Sequence, residues 1–254
     1  MKIKINIRQE IRVVVSLVIV SALVAFADRN LKHNTCRDII VRLDNVRENH
    51  FVDEADVLRM VEQAPGKIRT EQFSLIDYRG IEQNLEKHRN LKRADVYNDF
   101  KGNLVVQVAL RRPVARLVQE QGPDAYLSEE GVVMPVSERY SSRVLAISGT
   151  FVNKALQIQD LNGDAFGAQL LELIRYIRED EFWSAQIAEI QVLENGKLLL
   201  YPQVTSQVVK FGKPENIDEK FLKLRVFYKK ILPARGWTRY ESVNLEYEGQ
   251  VVAK

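Results

Sequence analysis

The sequence predicts an α+β protein: one N-terminal transmembrane helix, a small mixed domain, and a β-rich domain with two or more packed helices. Three observations predict it. The stretch Ile11–Ala27 has no charge after Arg12 and is apolar all round. Residues 38–112 interleave short β-rich runs with two amphipathic helical patterns. Residues 113–254 hold many short strand patterns separated by turn residues, with only two longer helical periods.

In chain order, residues 1–10 form a short basic tail and 11–27 the anchor. As a helix the apolar run reaches about 25 Å, close to the thickness of a hydrocarbon core. Lys2, Lys4, Arg8 and Arg12 precede it; Arg29, Lys32, Arg37 and Arg42 follow, diluted by Asp28 and Asp38. That count orients the helix weakly. A short basic segment before an apolar run is how export signals are built, which puts the N-terminus inside and everything after Asp28 outside. Ala25-Phe26-Ala27 also fits a small-x-small cleavage site, so a cleaved signal peptide is the alternative. No Cys directly follows the apolar run, and a lipoprotein anchor is not expected. Residues 28–37 read as a polar tether.

The first domain, 38–112, opens with the β run Ile39–Leu43. Asp53 is placed to cap a helix Glu54–Gln63 whose Val57, Leu58 and Val61 share a face, with Pro65-Gly66 as its stop. Asp77 caps a second helix bearing Ile81 and Leu85. Ala94–Tyr97 and Leu104–Val108 flank Lys101-Gly102-Asn103 as a hairpin. Leu58 and Leu85 are the predicted core residues. Arg112-Pro113 marks the junction, because proline restricts the residue before it and cannot donate to a ladder.

The second domain, 113–254, continues with strand patterns at Val114–Gln119, Ala125–Leu127, Gly131–Val133 and Val144–Ile147. A helix Phe166–Asp180 places Phe166, Leu170, Leu173, Ile174 and Ile177 on one face. Ile187–Leu193 and Lys197–Tyr201 enclose Asn195-Gly196, the strongest hairpin signal in the chain. After a strand Val208–Phe211, a helix Ile217–Leu232 turns Phe221, Leu224, Tyr228 and Ile231 inward and Lys220, Lys223 and Lys229 outward. The last strand, Ser242–Tyr247, continues past Gly249 through Val251-Val252. The rings of Phe182-Trp183 and Trp237 are expected to close a core.

Composition narrows the function. A formal net charge of +3, with no basic run interleaved with aromatics, does not argue for nucleic acid. The single cysteine, Cys36, leaves no internal disulfide. His33, His50 and His88 lack metal-ligand spacing with Cys, Asp or Glu. No nucleophile elbow, phosphate loop or dinucleotide glycine pattern occurs. Glu129-Glu130 flank a turn glycine and read as solvated acids. The residues therefore nominate no catalytic, cofactor or metal site, and no enzyme is expected.

Several strings, taken in order, resemble the FtsQ/DivIB cell-division family. Ala94–Tyr97, Gly102–Val108 and Arg111–Arg116 are similar to the end of its POTRA domain, and Tyr126–Gly131 with Met134-Pro135 to the opening of its β domain. Phe182-Trp183, Phe211-Gly212, Lys220-Phe221, Gly236-Trp237, Val243–Tyr247 and Gln250–Val252 continue the likeness. The position before Tyr247, often basic in relatives, is Glu246 here, so an ion pair made there changes sign or vanishes.

The resemblance implies a non-enzymatic divisome scaffold at the septum, crossing the cytoplasmic membrane once with its bulk in the periplasm. It implies FtsB-like and FtsL-like bitopic partners, other divisome proteins, and a part in controlling septal peptidoglycan synthesis. The POTRA-like domain is then tied to recruitment, and the end of the β domain to the FtsB contact. A final strand at a sheet edge offers unpaired N–H and C=O groups. The expected partner-binding residues are Glu246, Tyr247, Glu248, Gly249, Val251 and Val252. Tyr247 reads equally as an interface anchor or a core aromatic. The rival classes are a POTRA-bearing secretion or envelope-assembly factor, against which two charge-rich helices stand, and a cell-wall enzyme.

Overall fold

The computed structural model describes residues 7–32, 35–44, 50–63, 68–69 and 71–254, and within the first helix the side chains of 14–26. The tail 1–6, His33, Asn45 and the Pro65-Gly66 stop lie outside the described residues. Helix α1, Ile7–Lys32, runs on through Asp28–Lys32, which the sequence suggests as tether. Its side chains from Val14 to Phe26 are all exposed. Among the described residues no helix is long and apolar enough to cross a membrane. Residues 14–26 cover only about 20 Å of helix, against a core of about 30 Å.

The chain divides into two compact units: Met1–Asp44, Glu54–Lys87 and Arg93–Val108 in one, and Asn45–Asp53, His88–Lys92 and Ala109–Lys254 in the other.

In the first unit, β1 (Asp38–Asp44) is followed by α2 (Glu54–Glu62), α3 (Tyr78–Glu86), β2 (Leu91–Asn98) and β3 (Asn103–Leu110). The strands form one sheet in the order β1-β3-β2. Val57 and Val61, one turn apart on α2, are fully buried. Leu58 sits about 100° further round and is only half-buried, so it is not the core residue its apolar character suggests. Asp77 caps α3 as predicted, accepting from the Gly80 N–H at 3.0 Å, and Ile81 and Leu85 are buried. In the hairpin turn the Asp99 carboxylate accepts the Lys101 and Asn103 N–H groups at 2.9 and 2.8 Å.

The outer edge of β2 is closed by its own helix. The Val96 N–H donates to Glu82 Oε1 at 2.8 Å, and the Ala94 N–H to Glu86 Oε1 at 3.4 Å. Four residues of helix rise about 6 Å and two of strand about 6.7 Å, so an i,i+4 carboxylate pair matches alternate outward N–H groups.

The second unit is built on β4 (Pro113–Leu117), β5 (Ala125–Ser128), β6 (Val133–Pro135), β7 (Leu145–Gly149) and α4 (Phe151–Ile158). A 3₁₀ turn, Leu161–Gly163, leads to α5 (Ala165–Glu179), α6 (Glu181–Gln186), β8 (Ile187–Val192), β9 (Leu198–Pro202) and β10 (Val208–Gly212). Then come α7 (Ile217–Val226), a π turn Phe227–Ile231, α8 (Leu232–Arg235), β11 (Ser242–Asn244) and β12 (Val252–Ala253). Nine strands form one sheet in the order β12-β11-β10-β9-β8-β7-β4-β5-β6. The pairs β4/β7, β7/β8 and β10/β11 are parallel. The last two are joined by the helical segments α4–α6 and α7–α8, the crossovers that parallel neighbours require.

Helices and sheet share one core. Trp183 on α6 is fully buried, with its ring centroid 4.9 Å from that of Phe221 on α7, and Phe221 lies 5.4 Å from Phe211 on β10. Trp183 closes the core as expected; Trp237, at 45% exposure, does not. Asp180 fixes the α5–α6 corner: its Oδ1 accepts the Phe182 and Trp183 N–H groups, and its Oδ2 pairs with Arg225. Burial pushes this carboxyl up, but those hydrogen bonds and the Arg225 charge outweigh it and hold it below the usual range.

The 217–232 helix departs from regular periodicity. At its centre the Leu232 N–H bonds to the Phe227 carbonyl, an i→i+5 bond that adds a residue to the turn. The inward face is therefore Phe221, Leu224, Phe227, Tyr228 and Leu232, while Ile231, predicted inward, is 40% exposed. Lys220, predicted outward, is buried, with its Nζ bonded to the Lys213 carbonyl at 2.7 Å and 4.7 Å from the Phe211 ring centroid. Desolvation lowers its pKa from the ordinary lysine value.

Candidate partner-binding edge

A nine-stranded open sheet has two edges, and they differ. At β6 the Val133 N–H donates to the Gln159 carbonyl, and Val132 bridges to Asp160, so that edge is partly covered. At the other edge lies β12, with β11 on its inner side and, among the described residues, no strand beyond it.

The local path corrects the predicted strand. It stops at Asn244 instead of running through Tyr247 and past Gly249. The chain turns over residues 246–249 and returns antiparallel as β12, pairing Val243 with Ala253 and Asn244 with Val252. The edge of β11 is thus already occupied, and the free edge belongs to the returning strand. Two forces divert the chain. The Asn244 side chain accepts the Glu246 N–H at 2.8 Å, a local turn that competes with the ladder. Gly249 then adopts φ +66°, a left-handed conformation that costs glycine little.

Register shows which groups face outward. Lys254 and Ser242 exchange both backbone bonds, the Lys254 N–H to Ser242 O and the Ser242 N–H to Lys254 O, at 3.0 and 3.1 Å. Bonded and non-bonded pairs alternate along an antiparallel ladder, so Val252 also faces β11. Val251 and Ala253 then direct their N–H and C=O groups away from it. Their half-buried side chains pack against the core of the unit.

The turn before β12 is held by α7. Lys223 Nζ donates to the Tyr247 carbonyl at 2.8 Å and pairs with Glu219 at 3.1 Å. Glu219 accepts the Gly249 N–H at 3.5 Å, and the Lys223 hydrogen bond, that N–H and the Lys223 charge together lower its pKa. Glu246 pairs with Lys197 of the β8–β9 hairpin at 2.5 Å, so an ion pair does exist at this position. The chain passes close to β10 there: a Cβ on Gly212, which has φ +77°, would lie 2.7 Å from Glu246 Cγ. Glu219, Lys223, Glu246 and Tyr247 line a cleft of about 280 Å³.

The structure thus brings the six nominated residues into one turn and strand. Glu246, Tyr247, Glu248 and Gly249 are exposed, and Val251 and Val252 half-buried. Tyr247 is 51% exposed, which removes the core reading of that ring. Sequence reasoning missed Ala253, Lys223, Glu219 and Lys197. The polar turn Glu246–Gly249 followed by Val251-Val252-Ala253 was the available signal for a returning strand; nothing local points to the lysines.

Residues 112–254 match the model described as FtsQ/DivIB, C-terminal related, and residues 34–109 match that of a POTRA-like domain. No curated protein matches the chain significantly. Such domains are typically non-enzymatic and suggest a scaffold role in cell division. With more than half of the 254 residues under the first model, the chain belongs to the FtsQ/DivIB family.

Proposed function

We propose that the protein is a single-pass scaffold of the cytoplasmic membrane that holds FtsB-like and FtsL-like partners outside it and so helps control septal peptidoglycan synthesis. The observation that carries this reading is the β12 edge, where Val251 and Ala253 offer outward backbone groups beside the exposed Tyr247 ring. An incoming strand satisfies such groups while a neighbouring aromatic supplies a desolvated anchor. Membrane attachment through residues 11–27 is supported by the uncharged run and by the exposure of every side chain from 14 to 26. In water that exposure would be unfavourable by about 25 cal/mol for each Å² of apolar surface. The test is co-purification of the full chain with the extracytoplasmic regions of both partners, beside a chain ending at Gly249. Capture by the full chain and its loss on truncation, with the domain still folded, is the expected result. Equal capture by both would move the interface elsewhere.

A further inference from the structure

A helix packed on a core is ordinarily polar on its outer side, and α7 is not. Leu222 and Val226 are exposed there, Leu222 at 63%, and the exposed Ile231 follows in the π turn. That turn keeps the three side chains in one row. In a regular helix the five residues from Val226 to Ile231 rotate by about 500°, which would leave the two about 140° apart. The i→i+5 bond between the Leu232 N–H and the Phe227 carbonyl absorbs one residue, so the separation falls to about 40°. The four-residue step from Leu222 to Val226 is also about 40°. A convex apolar row therefore runs along the outside of the segment, opposite the buried Phe221, Leu224 and Leu232.

Charge along the same segment is of one sign. From Lys220 to Tyr240 the chain has seven Lys and Arg residues and no Asp or Glu. Lys223 and Arg225 are matched by Glu219 and Asp180. Lys229, Lys230, Arg235 and Arg239 are exposed, and among the described residues their side chains make no hydrogen bond or ion pair. Such a surface attracts anions, and its apolar row needs cover from water. We propose that the outer side of α7–α8 lies on an anionic lipid surface. Leu222, Val226 and Ile231 enter between the headgroups, and the free cations meet the lipid phosphates. The contact rests on the membrane attachment proposed above, which keeps the chain at a bilayer and raises the local concentration of lipid. Two observations favour lipid over a protein partner. The row stands on a convex helix, whereas an amphipathic partner helix fills a groove. The free cations within the segment's centre are lysines, which protein interfaces disfavour but whose stems snorkel along apolar surface at a bilayer.

The test puts an indole in the row. The full chain carrying Val226→Trp and Trp237→Phe is reconstituted into vesicles whose acyl chains are brominated, and tryptophan quenching is read. Trp183, the other tryptophan, is fully buried and serves as the internal reference. With phosphatidylglycerol in the vesicles, quenching of about twofold or more is expected; with phosphatidylcholine alone, none. It should fall sharply in about 1 M salt, where the screening length is about 3 Å, and in the added pair Lys229→Gln and Lys230→Gln. Both lysines are exposed and unpaired, so that variant is expected to melt as its parent does. An unquenched indole, equal quenching in both lipids, or quenching indifferent to salt and to the lysine pair would each overturn the inference. So would a soluble glutamate-rich amphipathic helix that shifts the emission where vesicles do not, which would give the face to a protein partner. Carbonate washing of the same vesicles reads the anchor separately. A chain that washes off faults the attachment and this contact with it; a retained chain with an unquenched indole faults the contact alone.

Discussion

Proline placed at Val251, directly before β12, and at Val252, its first residue, separates the two backbone edges. At Val251 the lost N–H is one that points away from β11, so the domain gives up no bond of its own. Gln250 would be biased toward extended backbone, which the approach to a strand tolerates. A partner strand loses one ladder hydrogen bond, worth about 0.5–1.5 kcal/mol net, or roughly a two- to tenfold loss of affinity. At Val252 the same substitution removes a donor to β11. The domain then pays about the same amount in stability, which for this size of unit lowers Tm by about 2–6 °C. Calorimetric titration with an FtsB-like segment, beside thermal melts, reads both quantities. The expected pattern is Val251→Pro weak in binding and normal in melting, and Val252→Pro depressed in melting. A folded Val251→Pro protein with full affinity, or one that melts as low as Val252→Pro, would refute the register argument.

Three further outcomes follow from the packing. Leu85→Ala should cost about 2–5 kcal/mol in denaturant unfolding because the side chain is fully buried, whereas Leu58→Ala should cost clearly less. Asp180 has a depressed folded pKa, so its contribution is present above the unfolded value of 3.8 and lost as pH falls through the lower folded one. Melts below about pH 4 should therefore show a flatter acid dependence in Asp180→Asn, which keeps the capping oxygen and drops the charge. Lys223→Met releases the Tyr247 carbonyl and Glu219. It should weaken partner binding by up to about tenfold, or 1.4 kcal/mol, with a melting temperature within about 4 °C of the wild type.

Elements with a strong period or a strong turn were legible in the sequence. The Asp77 cap, the Asn195-Gly196 hairpin and the α5 face all follow from side chains within a few residues of each other. Helix α4 was not legible: at eight residues it makes barely two turns, and it directly follows a β run with no side-chain cap hydrogen bond to announce it. The inward face of α7 was misread beyond Val226 because one inserted residue in the π turn shifts the face from Ile231 to Leu232, and no composition signal marks that insertion. Lys220 was misread for a related reason. Its burial depends on a carbonyl seven residues back, a tertiary partner that charge patterning along one helix cannot reveal. The path of the candidate edge was half legible. Residues 246–252 do lie together in one turn and strand, but alternation of Val243, Leu245 and Tyr247 suggested one continuous strand, and the turn that reverses it rests on Asn244 and Gly249 together.

The claim that a partner adds a strand to β12 is tested most directly by amide hydrogen exchange of the full chain with and without a saturating FtsB-like segment. Strand addition predicts that the Val251 and Ala253 amides slow by at least tenfold on binding, while Val252 and Lys254, already bonded to β11, change much less. Bound complex with unchanged exchange at Val251 and Ala253 would contradict it.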